Sequence, residues 1–471
     1  MIFDLELKEQ ERTAFLEDSG RAVTYGQLTE LCQEFGRLLS SHSLVFGLCE
    51  NTAASAAGYV AALENEAVPL LLDAELGEEP LARFISLYRP DYFWAPLLVK
   101  EKVERLFSGS CIFRFHEYGL WSASCGDEGK ALLHPDLCLL LATSGSTGEP
   151  KLVRLSRKNV MSNAQSIRDY LHLTEDERPI TSLPMHYTYG LSVINSHLLA
   201  GACILMTRSS YVQQEFWEFL KREGATSFSG VPYTYQILKK MKLFRGSVPG
   251  LRTMTQAGGH LPEDLQREIS AWAQGQGTGF YVMYGQTEAT ARMSYLPPDR
   301  CLDKIGSIGI PVPGGEFQLR DEQGGLIEEP DQEGELCFTG PNVSMGYAQR
   351  REDLSRPDER KGFLETGDLA RRDAEGFYYI TGRKKRFVKL FGIRVSLDAC
   401  EQILRERFPD ADLACAGEDE QLRIYTDKKE AADTAPDYLA AYLGLSIRAF
   451  SACYLPRIPR SSSGKILYDK L

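Results

Sequence analysis

The chain has 471 residues, 43% of them hydrophobic and 25% charged, with a net charge of −12. That length asks for two or three cores, and that charge would repel phosphate backbones, so nucleic acid is excluded as the main partner. Eleven cysteines, none closer than thirteen residues to the next, form no C-x-x-C unit and fit reduced thiols in a cytoplasmic protein. No stretch has the length of apolar residues that spans a bilayer, and the acidic start MIFDLELKEQ lacks the basic, then apolar, pattern of a signal peptide.

In chain order, 22–25 reads as a short strand and Thr24 as the cap of a helix over 25–39. Strands over 45–48, 68–72 and 92–95 alternate with helices over 52–63 and 79–88. This is the pattern of a doubly wound α/β sheet with parallel pairing, and no chemistry shows in it. The six apolar residues Leu137 to Ala142 then read as a buried strand.

That strand runs into Thr143-Ser144-Gly145-Ser146-Thr147-Gly148-Glu149-Pro150-Lys151. Gly145 and Gly148 let backbone amides turn inward, four hydroxyls add donors, and Lys151 adds a point charge, which together suit a polyphosphate. An ordinary hairpin turn has the same composition. A Walker loop needs its lysine directly after the last glycine and a helix behind it, whereas here Pro150 intervenes and 151–155 reads as another strand. The next helix, over 159–171, comes only after Ser156 as a possible cap.

The string T-S-G-S-T-G-x-P-K resembles the phosphate loop of the adenylate-forming enzymes, which include acyl- and aryl-CoA synthetases, peptide-synthetase adenylation domains and luciferases. At least five of that family's motifs follow in its order, and the resemblance extends from Thr24 to Lys465. It implies a large N-terminal domain over 1–384, with a small β-barrel region at about 305–384, and a small mobile α+β domain over 385–471.

The resemblance assigns a role to each motif. Thr143 to Gly148 and Lys151 would hold the β- and γ-phosphates of ATP. The segment around His186, Tyr187 and Tyr189 would line the acyl pocket, although the match there is imperfect and a packing histidine is the plainer reading of His186. Gly258 and Gly259, in a turn of small residues, would flank adenine. In Tyr284-Gly285-Gln286-Thr287-Glu288, Tyr284 would stack on the base, Thr287 would bond the α-phosphate and Glu288 would hold Mg²⁺, a hard cation suited to carboxylate. Without the family, Thr-Glu after a strand could simply cap a helix.

Residues 304–314, 317–320, 334–340 and 346–347 continue as glycine-rich β structure and read as structural. Asp368, in T-G-D-L, would accept the ribose hydroxyls, with Arg383 reaching ribose or phosphate. Lys385 would be the hinge and Lys389 the residue that faces the site for thiol transfer. Lys465, in P-R-S-S-S-G-K-I, would be the lysine that stabilises charge on the α-phosphate.

The implied reaction is adenylation of a carboxylic acid by ATP and Mg²⁺, then transfer of the acyl group to CoA or to the phosphopantetheine of an acyl carrier protein. No Asp or Glu lies between Ile180 and Ala200, so an α-ammonium buried in that segment would lack a counter-ion. The expected substrate is therefore a fatty or aryl acid and not an α-amino acid. A luciferase-like oxygenase, an adenylation-only enzyme and a non-catalytic nucleotide-binding relative are the alternatives.

Overall fold

The computed structural model describes residues 2–123, 132–142, 151–384, 386–460 and 466–471. The expected phosphate-loop residues Thr143 to Gly148, the expected hinge residue Lys385 and Lys465 lie outside the described residues. The chain divides into two compact units, one of residues 1–306, 311–316 and 339–364, the other of 307–310, 317–338 and 365–471.

The first unit is built on an eight-stranded sheet. Its order is Gly346–Ala348, Leu152–Ser156, Leu137–Ala142, Val68–Asp73, Leu44–Cys49, Tyr92–Pro96, Tyr118–Ala123 and Gly109–Phe115. The centre is parallel, as the alternation of strand and helix predicts, because each crossover helix returns the chain to the same end. Both edges are antiparallel, and the hairpin of Gly109–Phe115 with Tyr118–Ala123 is absent from the sequence reading. Its outer strand alternates between half-buried and exposed residues, so it lacks the continuous apolar run that marks the central strands.

Two local readings hold in detail. Thr24 caps Tyr25–Leu38 in a full capping box with Gln27, and Ser156 caps Arg157–Tyr170 in one with Asn159. A second sheet places Ser227–Gly230, Thr253–Gln256 and Gly279–Tyr284 in parallel, with Ser294–Leu296 antiparallel to the last. The helix Thr188–Ala200 is buried along nearly its whole length.

In the second unit, Glu316–Arg320, Glu333–Thr339, Phe363–Arg372 and Tyr378–Arg383 form a four-stranded sheet in that order. Beyond it lie the hairpin Phe387–Leu390 with Ile393–Ser396 and a three-stranded sheet, Leu413–Glu418, Gln421–Thr426 and Phe450–Tyr454. The helices Leu397–Arg407 and Lys429–Leu443 pack there around Leu404, Leu413, Leu422, Ile424 and Leu439. Pro436 lies inside the second of these helices. Among the described residues, no helix is long and apolar enough to cross a membrane.

Candidate active site

Where Leu137–Ala142 and Leu152–Ser156 pair as antiparallel neighbours, Lys151 stands at the start of the second strand. Its ammonium lies 3.3 Å from the centre of the Tyr347 ring. The Tyr347 hydroxyl donates to Glu288 Oε1 at 2.7 Å, and the Arg360 guanidinium lies over the same ring at 4.9 Å. Burial, reinforced by the Glu288 carboxylate, pushes the Tyr347 hydroxyl up to about 12, so it stays a donor at neutral pH. Tyr347 therefore joins the last residue of the phosphate loop to the acidic residue of Y-G-Q-T-E. In sequence Tyr347 reads as structural, and only its strand pairing with Val153 brings it to this place.

Thr287 opens a 3₁₀ turn, Thr287–Ala289, with no side-chain cap, so the capping reading fails here. Its hydroxyl meets that of Thr188 at 2.9 Å. The backbone then passes through Thr290 at φ 56° and Ala291 at φ 99°, two consecutive non-glycine residues in a left-handed region. Gly285 makes that possible, because a Cβ there would lie 1.6 Å from the Ala291 carbonyl oxygen. The turn is held by Thr290 Oγ1 donating to the Asn342 carbonyl at 2.7 Å and by Asn342 Nδ2 donating to the Ala289 carbonyl at 2.8 Å. Backbone held in such regions stores roughly 1–3 kcal/mol and clusters at functional sites.

The turn delivers Arg292, a residue that belongs to none of the sequence motifs. It is 2% exposed; its Nε donates to Ser192 Oγ at 3.1 Å and its Nη1 to Tyr170 Oη at 2.9 Å. Its guanidinium also sits 5.3 Å from the Tyr189 ring centre. The signal available in the sequence was a lone cation in the run Ala289-Thr290-Ala291-Arg292-Met293, directly behind the motif.

Of the expected pocket residues, Tyr187 and Tyr189 lie together, with ring centres 6.4 Å apart. Tyr189 Oη meets Thr255 Oγ1 at 2.7 Å, and that hydroxyl meets Ser229 Oγ at 2.9 Å. Burial pushes Tyr189 up to about 12, against the pull of Arg292, and raises Tyr187 as well. Gly258, at φ 86°, is where a Cβ would come within 2.6 Å of Tyr187 Oη, so the Tyr187 side chain and the small-residue turn at Gly258 and Gly259 are neighbours. Tyr284 is half-buried, with Gln286 Nε2 donating to its hydroxyl at 3.2 Å. His186 faces Asp73, Nε2 to Oδ2 at 3.8 Å, and burial lowers its pKa while Asp73 opposes the shift.

In the second unit, Asp368 and Arg383 are register partners on adjacent antiparallel strands. Arg383 Nε is 3.2 Å from Asp368 Oδ1, and the carboxylate is buried while the arginine is exposed. Lys389 is exposed in the hairpin whose turn, Phe391 and Gly392, has positive φ at both residues. Arg386 lies 3.8 Å over the Tyr468 ring and bonds Glu401 Oε1 at 2.8 Å, and Tyr468 Oη donates to that same carboxylate at 3.1 Å. Arg386 also pairs with Asp398.

These donors suit a nucleotide and its metal. Glu288 keeps lone pairs beyond the one that accepts Tyr347, beside two threonine hydroxyls and a lysine. Among the described residues no three His, Cys, Asp or Glu side chains gather as a metal cage. Mg²⁺ usually binds through one or two carboxylates together with substrate phosphates, so a single carboxylate such as Glu288 fits it. The buried Asp368 carboxylate can accept two ribose hydroxyls.

The sequence matches the model of the AMP-binding enzyme family over residues 5–348. It is 30% identical over 363 residues to the oxalate–CoA ligase of Arabidopsis thaliana, covering 73% of this chain and 69% of that one. It is also 30% identical over 353 residues to the 2-succinylbenzoate–CoA ligase of Bacillus cereus (strain AH820), covering 70% and 69%. The fold superposes on the O-succinylbenzoate coenzyme A synthetase of Bacillus subtilis in complex with AMP, with TM-score 0.79 at 22% identity over 99% of this chain and 96% of that one. ATP-bound MatB from Rhodopseudomonas palustris gives TM-score 0.77 at 21% identity, over 99% and 97%. Strand, phosphate loop and acidic Y-G-Q-T-E turn define a class that activates its substrate with a nucleotide. This chain belongs to the AMP-binding enzyme family.

Proposed function

We propose that this chain is an ATP-dependent acid–thiol ligase that adenylates a carboxylic acid and passes the acyl group to a phosphopantetheine thiol. The observation that carries the reading is the Lys151–Tyr347–Glu288 link beside the Thr287–Thr188 hydroxyl pair. In the first step a carboxylate oxygen attacks the α-phosphorus, the bond to the β-phosphate oxygen breaks, and pyrophosphate leaves. Lys151 and the 143–148 loop hold the departing phosphates, Thr287 bonds the α-phosphate, and Asp368 with Arg383 holds the ribose. Mg²⁺, brought with the nucleotide and held by Glu288, would neutralise phosphate charge.

Lys465 meets the charge that grows on the α-phosphate, and segment 385–471 then turns about Lys385 to present Lys389 for the second step. There the thiol sulfur attacks the activated carbonyl and AMP leaves. The thiol belongs to CoA, in keeping with the two CoA ligases among the relatives, or to a carrier protein. The helix Thr188–Ala200 carries no acidic residue to hold an ammonium, which supports a substrate without an α-amino group. The ten described cysteines are all free, which fits the reducing cytoplasm where ATP and CoA are found.

The test is a pyrophosphate-release screen across fatty, aryl and α-amino acids, with CoA and then holo-carrier protein as acceptor. Release dependent on a fatty or aryl acid is expected. Exchange with α-amino acids alone would refute the substrate class, and none with any acid would refute the ligase reading.

A further inference from the structure

Three arginines among the described residues are buried: Arg154, Arg292 and Arg351. Arg154 pairs with Glu359 at 2.9 Å and also donates to backbone carbonyls such as those of Tyr347 and Met345. Arg351 pairs with Asp91 at 3.1 Å and donates to the Tyr88 and Arg89 carbonyls. Arg292 has no carboxylate within ion-pair distance among the described residues. Its partners are Ser192 Oγ, Tyr170 Oη, the Met283 thioether at 3.5 Å and the face of Tyr189.

These groups orient the guanidinium without neutralising it. Burial raises the Tyr170 and Tyr189 hydroxyls although Arg292 pulls both down, so neither phenol serves as an anion at neutral pH. His197, buried on the helix that carries Ser192, is pushed down to about 4 by burial, with Arg292 adding to the shift, so it too is neutral. A buried charge held only by neutral groups is costly, whereas one that meets an anion on ligand binding turns that cost into selectivity.

Position says which ligand. Thr188 begins the helix and touches Thr287, the hydroxyl assigned above to the α-phosphate; Ser192, four residues along, holds Arg292. At a rise of about 1.5 Å per residue, the two contacts are set about 6 Å apart along the helix axis. The backbone of Arg292 is fixed by Asn163 Nδ2 and Asn342 Nδ2, which donate to its carbonyl at 2.9 and 3.1 Å, behind the strained Thr290–Ala291 turn.

We infer that Arg292 determines specificity in the acyl pocket, and that the acid activated here carries a second carboxylate about one helical turn from the first. This rests on the ligase reading above, and goes beyond it by naming a dicarboxylic acid, aliphatic or borne on a ring.

ATP–pyrophosphate exchange tests it with matched pairs: adipate against hexanoate, and terephthalate against 4-methylbenzoate. The expected result is a preference for the diacid of roughly 100-fold or more in kcat/KM. Arg292→Met should collapse that ratio through loss on the diacid, and Arg292→Lys should restore part of it. If Arg292→Met does not fold, the wild-type panel decides alone. Exchange with the monoacids at equal or higher efficiency overturns the inference and leaves the ligase reading standing. Exchange with no acid of any class overturns both.

Discussion

Replacing Tyr347 by Phe removes one hydroxyl and keeps the ring on which Lys151 rests. The lost bond is the 2.7 Å donation to Glu288 Oε1, a neutral donor on a charged acceptor. Such bonds contribute about 1.5–3 kcal/mol, and the lower end applies because Tyr347 is only half-buried. If Glu288 loses its orientation for the metal, about 1.5 kcal/mol corresponds to roughly tenfold in rate. ATP–pyrophosphate exchange at several Mg²⁺ concentrations should show that drop, with a shift of half-saturation to higher Mg²⁺. Tyr347→Leu should fall further, since Lys151 then also loses a cation–π contact of about 0.5–2 kcal/mol. A Phe variant with unchanged rate and unchanged Mg²⁺ dependence would show that the hydroxyl does not position Glu288.

Lys465→Ala should cut acyl-adenylate formation by orders of magnitude while sparing thiol transfer from supplied acyl-adenylate, and Lys389→Ala should do the reverse; equal losses in both half-reactions would remove the division of labour. Gly258→Ala brings a Cβ to 2.6 Å from Tyr187 Oη at a positive φ, so KM for ATP should rise several-fold; adding Tyr187→Phe should recover part, and no recovery would place the effect in the backbone alone. His197 Nδ1 faces the Val193 carbonyl at 2.8 Å and its buried Nε2 has no partner among the described residues; its depressed pKa means the folded chain binds fewer protons than the unfolded. Its contribution is present above pH ~6.5 and is lost as pH falls towards about 4, by on the order of 3 kcal/mol in all. Chemical denaturation from pH 7 to pH 4 should show this acid loss reduced in His197→Asn, and identical slopes would exclude His197 as its source.

How much of this was legible depended on whether a residue acts through a local pattern. Thr24 and Ser156 announce their helices because a cap is satisfied within three residues, and the central strands announce themselves because both faces are buried. Asp368 and Arg383, named from separate motifs, meet because their strands are adjacent, which the short spacing between them favours. Tyr347 and Arg292 stayed hidden for the opposite reason. Tyr347 lies 59 residues from the carboxylate it orients, and Arg292 sits 100 residues from the serine that holds it. Neither distance leaves a period, a cap or a turn signature, and strand register and a helix packed behind a strained turn decide both.

Arg386, Glu401 and Tyr468 have a consequence for motion. Arg386 follows Lys385 directly, and Tyr468 comes three residues after Lys465. A ring, a guanidinium and a carboxylate thus tie Arg386 to Tyr468 through Glu401. Under the hinge role proposed for Lys385, a rotation there would be relayed through these side chains to Tyr468. If both proposed roles hold, hinge and reactive lysine would work as the two ends of one lever, and a softened clasp would blur the lysine's arrival without touching either residue.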